Sequence, residues 1–196
     1  KPEAPVGFHI WHNSSFNPIY RAEQDYQSYT KYADYLKPVV YDNPAGERMI
    51  SYLYSVGQNI YGDLEEQQLL DFEYSVMGFK ENSYEQIIND IESYKAQLRE
   101  NPIGTPTVTY ERFSSDYVLR ETKRAVEGVA GSKTLIWPGV GINVQLKNST
   151  PESVREVIYA VFQGGGTGMV LSTSHAAMGP ENLSAVGSTL RELGLS

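Results

Sequence analysis

The sequence predicts an α/β fold with a parallel sheet, and two observations carry that expectation. Short apolar runs alternate along the chain with stretches of helical periodicity. The runs are continuously apolar instead of switching between apolar and polar, as strands covered by helices are. Four strands are expected, at residues 6–11, 35–41, 134–144 and 168–172. Two architectures accommodate them: a portion of a (β/α)8 barrel, roughly half of one, or a small open doubly wound sheet.

The elements follow in order. Val6 to Trp11 is an apolar run bounded by Pro5 and by the polar cluster His12, Asn13, Ser14 and Ser15, which reads as a strand entering a loop. Ala22, Tyr26, Tyr29 and Ala33 fall at steps of four, three and four, predicting one helix face. The second strand ends in Tyr41 and Asp42 and passes into Asn43, Pro44, Ala45 and Gly46. Residues 47–100 read as a helical insertion, with a capping sequence at residues 82–85. A helix over about 115–129 stops at Gly131. Thr150 and Pro151 then open a helix in which Val154, Val157, Ile158, Val161 and Phe162 keep the helical rule, and Gly164, Gly165 and Gly166 close it. Leu183, Val186, Leu190 and Leu193 mark a final helix.

Composition narrows the function. The chain has 196 residues, no Cys and a formal net charge of -8. Without cysteine there is no disulfide framework, thiolate metal site or cysteine nucleophile. With Lys and Arg scattered, nucleic acid is a poor partner, because backbone phosphates call for clustered cations. No apolar stretch approaches the roughly 20 residues of a membrane span. Lys1 stands where Met is usual and residues 1–5 are proline-rich, so a linker on a processed or shortened chain is expected, with residues 6–196 forming a single α/β domain.

The segments GFHIWHN, YLKPVVYDNPAG, TLIWPGVGINV and TGMVLSTSH together resemble the C-terminal half of (β/α)8-barrel glycoside hydrolases of the hypothetical glycosyl hydrolase-like family. The most specific piece is Val40, Tyr41, Asp42, which is similar to the strand 6 ending of chitinase-like barrels, where a Tyr-Asp pair faces the sugar. The resemblance implies strands 5 to 8 of a TIM barrel, with strands 1 to 4 absent from this chain and a main acid, at the end of strand 4, upstream of Lys1. Cellulase-like retaining enzymes carry a nucleophilic Glu after strand 7; here that place reads WPGVGINVQ and holds no carboxylate. It implies oligo- or polysaccharide as the partner, and a secreted or periplasmic setting is favoured. A half barrel would expose two unpaired edges, so association with the missing half or with a second copy is expected.

Barrel sites lie beyond the carboxyl ends of the strands, and this sorts the candidate residues. Asp42 is the one carboxylate directly at a strand exit and is the candidate general acid or base, against the alternative of an Asx-turn residue in DNPAG. His12, Asn13, Tyr41, Trp137, Ser174 and His175 are the candidate sugar contacts. His9 is expected to pack within the barrel. Lys37, which opens its strand before Pro38, is expected to aim its amine away from the strand exits, which weakens a Schiff-base role. Neither a metal nor a cofactor is called for.

Overall fold

The computed structural model describes residues 4–78, 80, 84–109, 112–172 and 174–195. It is a mixed α/β fold whose small parallel sheets do not close into a barrel. Strand β1 (Gly7–Ile10) leads through a 3-10 turn, His12–Ser15, into two short helices, α1 (Pro18–Glu23) and α2 (Tyr26–Tyr29). The single helix face expected through Ala22 and Tyr26 is therefore divided. The Asp25 side chain accepts from the Gln27 and Ser28 N–H groups and starts a new helix there, leaving Ala22 exposed and Tyr26 buried.

Strand β2 (Tyr35–Pro38) pairs in parallel with β1, Phe8 opposite Leu36, and with β3 (Leu135–Ile136), Leu36 opposite Ile136. The long strand expected at residues 134–144 is interrupted at Trp137 and Pro138 and resumes as β4 (Gly139–Gly141). Proline has no N–H for the ladder, so regular pairing stops where it stands. A bridge between Val39 and Gly139 carries the sheet across the break, with the Val40 N–H on the Gly139 carbonyl at 3.1 Å. Strand β5 (Val170–Ser172) then pairs in parallel with β4. The spatial order of the strands thus follows their order in the chain.

Helices α3 (Ala45–Asn59), α4 (Glu66–Met77) and α5 (Tyr84–Glu100) occupy the region expected to be helical, and the capping sequence at residues 82–85 lies outside the described residues in part. Helix α6 (Ser115–Gly128) is followed by Gly131 at φ +80°, and α7 (Pro151–Gln163) starts on a capping box in which Thr150 and Ser153 satisfy each other's N–H groups. A short α8 (His175–Met178), not foreseen, precedes α9 (Pro180–Glu192).

The alternation of side chains along the strands decides where the core sits. Ile10, Leu36 and Ile136 bury against Tyr26, Ala125 and Val129, while Val40, Val140 and Ile142 join a larger cluster with Met49, Leu53, Phe113, Val157 and Val161. The intervening residues face the other way. His9 is exposed and Lys37 and Tyr41 are half-buried, so this second sheet face stays open. His9 is accordingly not packed inside, contrary to expectation.

Candidate functional site

Parallel strands place all their carboxyl ends along one edge, and that edge of the open face gathers a polar cluster. Lys37 lies on β2 and Tyr41 just beyond it, four residues apart and therefore on the same side of the pleat. Both reach across β4 to Ser172 at the end of β5. The Tyr41 hydroxyl donates to Ser172 Oγ, and Lys37 Nζ stands 3.4 Å from the same atom and 6.0 Å from the centre of the Tyr41 ring. Glycine makes this possible. A Cβ at Gly139 would lie 2.8 Å from Lys37 Cε and 3.2 Å from the Tyr41 ring, so a bare β4 backbone is the floor over which both side chains lie.

The expectation for Lys37 is thereby corrected. Its long stem carries the amine toward the strand exits, onto Ser172, and not toward the opposite end. Neighbouring His9, in register with Lys37, has a pKa lowered first by partial burial and then by the Lys37 charge.

Behind this cluster His12 is fully buried. Its Nε2 donates to the Tyr41 carbonyl at 3.0 Å, and Arg48 Nη1 donates to its Nδ1 at 2.9 Å. That pattern assigns the neutral imidazole, and burial together with Arg48 lowers the His12 pKa to about 3. The ring lies 6.1 Å from the Tyr41 ring and is stacked with it, so His12 sets the backbone and ring of Tyr41 from behind. His12 is buried behind Tyr41 and 4% exposed. Asn13 belongs to the same 3-10 turn, and its side chain lies outside the described residues.

Asp42 is only 1% exposed. Arg112 Nη2 lies 2.5 Å from its Oδ2, and its carbonyl accepts the N–H groups of Ala45 and Phe113. Burial pushes the carboxyl above the usual carboxylate range, against the pull of Arg112. Asp42 thus joins the strand exit to the start of α3 and to the segment before α6, and Arg112 covers its charge.

The remaining candidates are not brought into the cluster. Trp137 stacks on Tyr35, ring centres 4.4 Å apart at 24°, toward the opening of β2. The strand runs on through Gly141, so Trp137 is not at its exit. Ser174 stands at the N-cap position of α8, with no capping hydrogen bond from its side chain, and His175 begins the helix; both are exposed on the edge beyond β5.

Two residues that sequence reading passed over stand at the same edge. Glu47 and Arg48 occupy the first turn of α3, directly after the β2 exit, and Glu47 pairs with Lys147 at 3.0 Å. Their signal was position, since the first charged residues after a strand exit include Glu47 and Arg48 as well as Asp42. Together with Tyr20, Tyr52 and Tyr94 they line a cleft of about 600 Å³ among α1, α3 and α5. Among the described residues no cluster of three or more His, Asp or Glu side chains is arranged to hold a metal, and no helix is long and apolar enough to cross a membrane.

Chemically, the open edge offers an ammonium, a phenol and a serine hydroxyl, with exposed Trp11 beside β1. The chain matches no protein-family model and no curated protein.

Proposed function

We propose that the chain is a sector of a carbohydrate-active (β/α)8-barrel protein that acts on glycosidic bonds, with sugar held at the carboxyl edge of the open sheet face. The observation that carries this reading is the convergence of Lys37, Tyr41 and Ser172 at the carboxyl ends of parallel strands in consecutive order, with the strand core packed toward helices on the other side. Barrel enzymes build their sites at that edge, and hydroxyl and ammonium groups are what sugar hydroxyls pair with. On this reading β1 and β5 are the edges where the remaining strands, or a second copy, would add, and the second carboxyl group that hydrolysis needs comes from there. The candidate acid is Asp42, whose carboxyl burial raises in the direction a general acid requires; it is buried one residue past Tyr41, off the open face, so Arg112 must swing aside and the Asp42 side chain must turn toward the strand exits to serve.

The clamp of Arg112 on Asp42 also favours a second reading, a sugar-binding module without catalysis. One experiment separates the two. The full-length parent protein, which carries the remaining strands, is titrated with a panel of oligosaccharides while reducing ends are counted, with Asp42→Asn beside it. Binding with cleavage that drops roughly 100-fold or more in the variant supports hydrolysis. Binding with no new reducing ends supports the module, and no binding to any sugar removes both.

A further inference from the structure

We infer that the Lys37, Tyr41 and Ser172 cluster is a carboxylate-binding site, so that the ligand of the open face is an acidic sugar, a uronic-acid-containing oligosaccharide. The inference rests on the carbohydrate reading above and deepens it.

It begins from hydrogen-bond bookkeeping. Ser172 Oγ accepts from the Tyr41 hydroxyl and faces the Lys37 amine at 3.4 Å, which takes both of its lone pairs. Its own O–H is then free to donate. Lys37 has three N–H groups, of which one points at Ser172. Among the described residues it meets no carboxylate, although the chain carries 24 Asp and Glu residues against 16 Lys and Arg. The cluster therefore holds a surplus of donors and one uncompensated positive charge, half-buried on an open face. A neutral sugar's oxygens can accept from these donors, but they bring no negative charge to offset the Lys37 ammonium. A carboxylate has two acceptor oxygens and one negative charge, and matches it well.

The single cation also discriminates among anions. A phosphate dianion calls for more than one charge or for a nest of backbone N–H groups, whereas the β4 residues beneath the cluster are committed to strand pairing. Partial burial and then the Lys37 charge both lower the His9 pKa, which works against a second positive charge there. Trp11, 65% exposed at the end of β1, offers an apolar surface on the same edge for a sugar ring.

The test is a titration of the 196-residue chain with three probes: an oligogalacturonate, the neutral galacto-oligosaccharide of equal length, and galactose 1-phosphate. Wild-type protein is expected to prefer the uronate over the neutral sugar by roughly tenfold, the worth of one charge-assisted hydrogen bond. That ratio should shrink as salt is added. In Lys37→Met, which keeps the apolar stem, it should fall to about one. Ser172→Ala, which retains the charge and removes one donor, should lose about half of the preference on a logarithmic scale; it tests the site independently should Lys37→Met not fold. Equal affinity of the wild type for uronate and neutral sugar overturns the inference and leaves the carbohydrate reading standing. Tighter binding of the phosphate, or a uronate preference that survives in both variants, also overturns it. Absence of binding to every probe overturns both.

Discussion

At the scale of single residues, two buried titratable groups set how stability responds to pH. His12 ordinarily titrates near 6.5 and is held at about 3 in the fold. Below 6.5 the unfolded chain takes up a proton that the folded chain refuses, so stability falls as pH drops from 6.5 toward 3. Glu73, on α4 and 1% exposed, has the opposite sign. Burial raises its carboxyl from 4.5 to about 8, with Arg21 pulling it down and Tyr52 close by. Between 4.5 and 8 the folded state keeps a proton that the unfolded state gives up, so stability falls as pH rises through that window. Each group has a slope of about 1.4 kcal/mol per pH unit. The two cancel between 4.5 and 6.5, and from 6.5 to 8 Glu73 acts alone. Urea unfolding should therefore show a loss of about 2 kcal/mol between pH 6.5 and pH 8, and Glu73→Gln should abolish it. A flat profile in the wild type would contradict the burial of a neutral Glu73. His12→Ala, which removes a buried ring and leaves Arg48 and the Tyr41 carbonyl without their partner, should cost about 2–4 kcal/mol at pH 7.

At the scale of elements, the two glycines of β4 make a paired prediction. In Gly139→Ala the new Cβ meets Lys37 Cε, the mobile end of a long side chain, so stability should fall by less than about 1 kcal/mol while Lys37 is displaced from Ser172. In Gly141→Ala it comes within 2.7 Å of Asn43 Oδ1, on a buried side chain also held to the Lys147 carbonyl, and the loss should be about 1–3 kcal/mol. Thermal unfolding of the two proteins tests the order. Helix α7 was legible from sequence to the residue, because Thr150, Pro151 and five apolar positions all state the same local rule; Thr150→Ala should cost about 1 kcal/mol. The region beyond β1 was misread because Asp25 caps as well as Tyr26 packs, and helical spacing alone does not reveal a restart. The path of Lys37 was not legible, because it depends on bare backbone at Gly139, on a strand about a hundred residues later in the chain. Nor was the pairing of Asp42 with Arg112, since an ion pair across seventy positions leaves no mark in local pattern.

At the scale of the whole molecule, alternation of strand and helix conveyed the α/β class and the parallel pairing, and the consecutive strand order extends it. The open sheet face and the unpaired sides of β1 and β5 are where apolar and polar groups both meet solvent, with Val6 and Leu135 each more than 40% exposed. The cleft among α1, α3 and α5 offers a competing surface that the same edge residues, Glu47 and Arg48, adjoin. Backbone amide chemical-shift mapping during an oligosaccharide titration tests most directly whether sugar is held on the open face. Shifts centred on Lys37, Tyr41, Gly139, Gly141 and Ser172, and lost in Tyr41→Ala, are expected. Shifts confined to Tyr20, Tyr52 and Tyr94, or no shifts with any sugar, would contradict it.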